Sequence, residues 1–248
     1  PLFGGVMAHF LQYRPIFFAT AAFSLAGGAV VIRYVREDFV RPDRQDRSGV
    51  RDHLLTIFRS PELRSMLVLV ILVQSSIVIV APFLSLYVEF LKVPPDYLGL
   101  ATGAVFGVTG IANASTAPFW GKKADRVGSD RVLRQSLLGL TLFSLPQALV
   151  TNVFQLFALR AGLGVFLSGF MPIINTIIRR ATPEKDRGGI YGIFQSGLLL
   201  GNVVGPLAGG ALAASLGLRS IFLITTAVFF AAFAWHRRVM AARTCGPR

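Results

Sequence analysis

The chain has 248 residues, of which 53% are hydrophobic and 15% are charged, and its mean hydropathy is +0.61. Soluble domains carry about 25% charged residues, so this composition excludes an ordinary soluble protein and indicates one that lies in lipid. A formal net charge of +13 would suggest nucleic acid as the partner of a soluble protein. In a membrane protein the positions of the basic residues matter more than their sum, and they argue against a nucleic-acid partner.

Long uncharged runs predict membrane-spanning helices, because about 18 consecutive apolar residues can cross the hydrocarbon core. One long run is divided by the polar pair Thr151-Asn152, and its second part continues past Arg160. The sequence predicts an all-α membrane protein, a helical bundle with the tail of one helix at 1–10 and seven full spans after it. These spans lie at 15–32, 65–88, 98–120, 135–150, 153–178, 188–218 and 220–235.

Basic residues are concentrated in every second connection, at 33–64, 122–134, 179–187 and from 237 onwards. The opposite connections hold only Arg14, Lys92 and Arg219. The positive-inside rule therefore predicts a multi-pass protein of the cell (inner) membrane with the first set, including the linker and the C-terminus, in the cytoplasm. The single Cys245 indicates neither a disulfide nor a metal site, and no cofactor is expected.

The first element repeats a later one. PLFGG at Pro1 aligns with PLAGG at Pro206, Arg14 aligns with Arg219, and about half of the first 22 positions agree. Both copies end at a basic cluster, so they cross the membrane in the same direction, as in transporters built from two parallel halves. We therefore expect 1–36 to be the last helices of a truncated N-terminal six-helix half, and the chain to be a fragment.

A polar segment at 37–64 is predicted to be a cytoplasmic linker between the halves. Within it, Val50, Leu54, Ile57 and Phe58 recur at helical spacing, which favours an amphipathic helix on the membrane surface. A solvated linker with one packed turn remains an equal alternative. Ser60-Pro61 has the form of an N-cap and first helical residue.

The connection GKKADRVGSDRVL, at 121–133, combines glycines that permit a tight turn with an acidic residue. At a helix N-terminus, Asp125 would accept backbone N–H bonds and pair with arginine as a latch whose opening exposes the cytoplasmic side. An ordinary positively charged loop is the alternative. The GxxxDRxG pattern resembles the signature loop of the major facilitator superfamily, and Lys123, Ser129 and Asp130 depart from it, which implies a weaker gating role. The matching residues are Gly121, Asp125, Arg126, Gly128, Arg131 and Leu133.

Arg160 is the one charge well inside a predicted span, and an intramembrane ionisable residue is a functional candidate. Snorkelling to the nearer interface is the equal alternative. Its surroundings, RAGLG, resemble the RxxxG motif early in the fourth helix of each superfamily half.

The run GNVVGPLAGG resembles the GPxxGG pattern of the fifth helix in drug-exporting members of the superfamily. Its small residues would allow close helix packing, and its Pro with Gly would allow a hinge. The motif consists of Gly201, Gly205, Pro206, Gly209 and Gly210.

Polar and aromatic residues near mid-span are candidates for the wall of a central substrate cavity, although helix neighbours can satisfy such groups without a ligand. No Asp or Glu lies within a predicted span, so we expect the proton-coupling carboxylate in the missing half. The candidates are Gln74, Ser75, Phe106, Asn113, Phe170, Asn175, Gln195 and Asn202.

The resemblance covers almost the whole chain and implies a C-terminal six-helix half at 65–240 with a cytoplasmic tail at 241–248. It implies a proton-coupled exporter of lipophilic or amphipathic small molecules by alternating access, with lipid bilayer, substrate, protons and the missing half as partners. A transporter of a sugar derivative or other metabolite is the alternative within the family. A membrane enzyme would need clustered acidic or histidine residues, but His9, His53 and His236 are scattered, and a channel does not account for the loop motif.

Overall fold

The computed structural model describes residues 13–35 and 49–244, and in these ranges it contains helices and turns but no strand. The first copy of the PLxGG repeat and Cys245 lie outside the described residues. In chain order the helices are α1 (Tyr13–Tyr34), α2 (Val50–Arg59), α3 (Pro61–Val80), α4 (Leu84–Phe90), α5 (Pro95–Val127), α6 (Ser129–Ser144), α7 (Val153–Leu167), α8 (Phe170–Ala181), α9 (Arg187–Leu216) and α10 (Leu218–Thr244). Short 3-10 turns occupy Ala81–Phe83, Leu145–Ala148 and Glu184–Asp186.

Six segments of the described chain are long and apolar enough to span a membrane, which confirms an all-α membrane bundle. The predicted span at 135–150 has no counterpart among these six, because it falls on α6, which has only 16 residues and passes into a 3-10 turn. Pro146 explains this end, because proline has no N–H to continue the α-helical hydrogen bonds. The six segments are Phe17–Tyr34, Pro61–Phe90, Pro95–Val127, Val153–Ala181, Glu184–Leu216 and Leu218–Met240.

Helix α6 is nevertheless a full member of the bundle, packed between α7 and α10. Val132, Leu133, Leu137 and Leu140 are buried at helical spacing along one face. The other face carries exposed residues such as Leu138 and Leu142. A short helix can therefore be held by one continuous buried stripe.

The most extensive helix contacts are those of α3 with α9 and of α5 with α7. Glycine makes the second pair possible, because a Cβ on Gly164 would collide with the backbone carbonyl of Thr109 in α5. Gly164 is the glycine of the RxxxG motif, one helical turn after Arg160. That motif therefore combines a buried charge with the contact point of two helices.

The buried apolar residues form two clusters, one at each end of the bundle. The cluster near α2 includes Ile57, Met66, Leu133 and Ile177, and the cluster at the opposite end includes Leu84, Tyr87, Val88, Val150 and Phe222. Tyr87 also donates a 2.7 Å hydrogen bond to the carbonyl oxygen of Gln147. The polar surroundings of Arg160 lie between these two clusters, with Phe222 on one side and Phe229 on the other.

Helix α1 is apolar and exposed along its described side chains. Phe17, Phe23 and Ile32 are 76%, 80% and 86% exposed. A helix of this composition needs lipid or partner helices around it.

The linker segment forms helix α2, as its spacing predicts, but its apolar residues do not all face inward. Ile57 is buried, whereas Val50 and Phe58 are 71% and 58% exposed. His53 takes the second buried position instead. The predicted cap is confirmed, because the Ser60 hydroxyl accepts a hydrogen bond from the Leu63 N–H and Pro61 is the first residue of α3.

Candidate functional site

The glycine motif of α9 lies directly against α3. A Cβ on Gly201 would lie 2.9 Å from the Gln74 Cβ, and one on Gly205 would lie 2.8 Å from the Ser75 carbonyl oxygen. A Cβ on Gly209 would lie 3.0 Å from the Ile79 carbonyl oxygen. Spaced four residues apart, these glycines form one stripe that lets the two backbones approach, so their first role is packing.

Gly210 does not take part in this contact. A Cβ on Gly210 would meet nothing within 4 Å. Pro206 lies inside α9, which continues without a break from Arg187 to Leu216. The hinge role of Pro206 and Gly210 stays a prediction.

Beside the glycine stripe, two of the predicted cavity residues meet. The Gln74 side-chain amide donates a 2.8 Å hydrogen bond to the Asn202 side-chain oxygen, which joins α3 to α9. Ser75 instead bonds within its own helix, donating to the carbonyl oxygen of Ile71. Gln195 is exposed nearly two turns before Asn202 on α9.

The outward side of α9 is aliphatic. We call this surface the open face of α9. Its polar groups are Gln195, Ser196 and Asn202, and no other helix of the described chain covers its apolar residues. These are Leu199, Leu200, Val203, Val204 and Leu207, all at least half exposed.

The remaining cavity candidates are dispersed. Asn113 is half-buried on α5 and Phe106 packs against the cluster at the end opposite α2. Asn175 is exposed on α8, where its backbone carbonyl accepts a 3.0 Å hydrogen bond from the Tyr191 hydroxyl. Phe170 requires a correction, because it is 0% exposed in the core and does not line a cavity wall.

The loop motif differs from its prediction in one respect. Helix α5 continues to Val127, so Asp125 lies in a last helical turn and not at a helix N-terminus. Its charge is there on the unfavourable side of the helix dipole, and Asp130 occupies the first turn of α6. The tight turn is confirmed at Gly128, whose φ of +91° suits glycine.

The latch itself is not formed among the described residues. The ion pairs of His53 with Asp186 and of Glu184 with Arg187 do not include Asp125. Arg126 and Arg131 are exposed, and Gly121 has open space around it. The gating role of the loop stays a prediction.

Arg160 is 8% exposed, which places its side chain between helices and not at an interface. The guanidinium carbon lies 6.0 Å from the centre of the Phe222 ring. Its Nε is buried without a hydrogen-bond partner in the described part of the chain. This burial argues against snorkelling and favours an intramembrane position.

Comparison with known sequences decides the family. A sequence model described as "Major Facilitator Superfamily" matches residues 1–146 and, a second time, residues 99–244. This chain belongs to the major facilitator superfamily.

Curated relatives share the sequence over almost all of the chain. "Multidrug resistance protein MdtG" of Serratia proteamaculans is 33% identical over 95% of the chain and 58% of the relative. The proteins of the same name from Proteus mirabilis and Salmonella typhimurium are 34% and 30% identical, over 93% and 95% of the chain. The chain spans 57–59% of the length of these three relatives.

Two contacts of this superfamily member were missed from the sequence. The His53 ring packs against Gly189, and its Nδ1 lies 3.9 Å from an Asp186 carboxylate oxygen, which docks α2 on the start of α9. Lys123 lies 4.8 Å from the Trp120 ring centre, while the Trp120 indole donates a 2.7 Å hydrogen bond to the Val165 carbonyl oxygen. In the sequence, the pair of aromatic residues shortly before two lysines could have indicated the second contact.

A groove of about 530 Å³ was also missed. It lies at the ends of α4, α5 and α7 that are farthest from α2. Its wall is mainly apolar, with Lys92, Tyr97 and Asn152 as polar groups. Metal-binding groups of three or more His, Cys, Asp or Glu side chains are absent from the described residues.

Proposed function

We propose that this chain is the C-terminal half, with the end of the N-terminal half, of a secondary active transporter that exports lipophilic or amphipathic small molecules. Proton-coupled alternating access would drive the export. The main support is similarity to multidrug resistance proteins over 93–95% of the chain. The proposal excludes an enzymatic role.

The open face of α9 fits this proposal. Its aliphatic residues and the amides of Gln195 and Asn202 would form one wall of a cavity shared with the other half. A mainly apolar wall with a few amides suits lipophilic substrates better than sugars, which need many hydrogen-bond partners. Described residues of the spans include no acidic side chain at mid-depth, so we expect the proton-coupling carboxylate in the other half.

The domain division follows from the same proposal. Residues 1–36 would end the N-terminal half, 37–64 would link the halves, 65–240 would be the C-terminal half and 241–248 the tail. The first helix of that half already begins at Pro61, four residues before the proposed boundary. The linker and the tail would lie on the cytoplasmic side of a bacterial inner membrane.

Proteoliposomes test the transport proposal. The complete protein, carrying both halves, should move a fluorescent lipophilic cation against its gradient when a proton gradient is imposed, and an uncoupler should stop it. This chain alone should insert without transport, because alternating access needs two halves. Movement of a labelled sugar phosphate but not of the dye would favour the metabolite alternative, and gradient-driven dye transport by this chain alone would contradict the proposed division.

Orientation has its own test. Cys245 is the only cysteine of the chain, so a membrane-impermeant maleimide should label it in inside-out vesicles. Intact cells or right-side-out vesicles should remain unlabelled. The reverse result would place the tail outside and overturn the proposed topology.

A further inference from the structure

A small cavity of about 30 Å³ lies beside the Arg160 side chain between α3, α5, α6, α7 and α10. The Arg160 side chain itself is more than nine-tenths buried, and Phe222 and Phe229 beside it are 2% and 1% exposed. The polar part of the wall consists of Ser76, Thr109, Ser144, Gln147, Arg160 and Thr225.

Three of these six polar groups, including Thr109, donate hydrogen bonds to backbone carbonyl oxygens. Ser76 donates to the Leu72 carbonyl oxygen at 2.9 Å, and the Gln147 side-chain amide donates to that of Phe143 at 2.8 Å. Two buried atoms of wall residues have no hydrogen-bond partner among the described residues, the Arg160 Nε and the Thr225 Oγ1. Both can donate a hydrogen bond.

The wall also contains a positive charge without a negative one, because none of its residues is Asp or Glu. A buried ion without a partner is strongly unfavourable in a low-dielectric interior. The Phe222 ring, 6.0 Å from the guanidinium carbon, is at the limit of a cation–π contact and compensates little. The site therefore favours a ligand that accepts hydrogen bonds and is negatively charged.

We propose that this cavity binds one small monovalent anion, with chloride as the ion of the right charge and size. A volume of about 30 Å³ has room for one or two water-sized particles, so it suits a small ion such as chloride better than a bulky carboxylate metabolite. Water would accept hydrogen bonds from the two donors but would leave the Arg160 charge unpaired. Chloride would accept the hydrogen bonds and also balance the charge. The bound ion would fasten α7 to α10 through Arg160 and Thr225. This inference does not depend on the proposed transport activity.

Anion-dependent thermal unfolding tests the site in the purified full chain in detergent. At constant sodium concentration and ionic strength, chloride or bromide in place of gluconate should raise the Tm saturably, by about 2–4 °C. Line broadening in 35Cl NMR, reversed by bromide, should report the same binding directly. No difference between chloride and gluconate in either measurement would overturn the proposal and leave a water-filled cavity.

Neighbouring threonines provide matched variants. Thr225→Val should abolish the chloride-dependent rise in Tm, and Thr225→Ser should keep it. Thr226→Val is the control, because the Thr226 hydroxyl donates to the Phe222 carbonyl oxygen and is not part of the cavity wall. Arg160→Met should remove the chloride dependence, and if it does not fold, the threonine series decides alone. An equal chloride effect in Thr225→Val and Thr226→Val would show a general salt effect and contradict the site.

Discussion

Helix α9 has one face that is packed against another helix and one that is exposed. The face with Gly201, Gly205 and Gly209 is already buried against α3, where backbones approach closely. The open face carries branched side chains such as Val203 and Leu207, which are 59% and 70% exposed. The glycine face is fully packed within this chain. The exposed side chains of the open face need lipid or another part of a transporter to cover them.

This difference separates stability from function in one helix. Substitutions on the glycine face should act on folding, because they push two backbones apart. Substitutions on the open face should leave the folded half intact and act on transport. Asn202 joins the two faces, since it is exposed and yet bonded to Gln74.

The largest effect is expected from Gly205→Ala. The added Cβ would lie 2.8 Å from the Ser75 carbonyl oxygen and 3.2 Å from the Ile79 nitrogen, so the helices must separate. We expect a loss of about 1–3 kcal/mol in the free energy of unfolding, measured by thermal or denaturant unfolding in detergent.

Gly210→Ala is the matched control in the same helix. Nothing lies near its Cβ position, so the higher helix propensity of alanine should leave stability unchanged or raise it by up to about 1 kcal/mol. Equal destabilisation by Gly205→Ala and Gly210→Ala would contradict the claim that only the glycine face is packed against α3.

A smaller effect is expected at the Gln74–Asn202 hydrogen bond. A double-mutant cycle with Gln74→Leu and Asn202→Leu should give a coupling energy of about 0.6 kcal/mol, and at most about 1.7 kcal/mol. The control cycle pairs Gln74→Leu with Gln195→Leu, a change on the same helix as Asn202. Its coupling energy should be close to zero, and equal couplings would mean that the measured energy does not come from this bond.

The sequence predicts much of this arrangement and misses some of it for physical reasons. Span positions follow from composition, and the glycine stripe follows from spacing along a helix. Phe170 was misplaced, because an aromatic residue at mid-span suits a core and a cavity equally well. Asp125 was misplaced, because the end of α5 depends on which glycine of the loop adopts a positive φ, and Gly121 was a possible end besides Gly128.

Long-range contacts were beyond the sequence for another reason. His53 lies more than 130 residues from Asp186 and Gly189, and nothing local to it indicates that they meet. The anion cavity likewise needs side chains from five helices, although Arg160 itself was identified as unusual.

The smallest effect on stability is expected on the open face. Val203→Thr keeps the shape of the side chain and should change the free energy of unfolding by less than about 0.5 kcal/mol. The same change at Val73, which is 0% exposed in α3, should cost about 1–3 kcal/mol, because it buries a hydroxyl. Similar losses at both positions in thermal unfolding would show that the open face is packed.

Cysteine labelling of Gln195 in the complete protein tests the central claim, that the open face of α9 lines a substrate pathway with alternating access. With other cysteines replaced by serine, Gln195→Cys should react with a membrane-impermeant maleimide in inside-out vesicles. The account predicts that a lipophilic cation slows this reaction and that a proton gradient changes its rate. A rate unaffected by both substrate and gradient would contradict the claim and leave the open face as a surface covered by lipid.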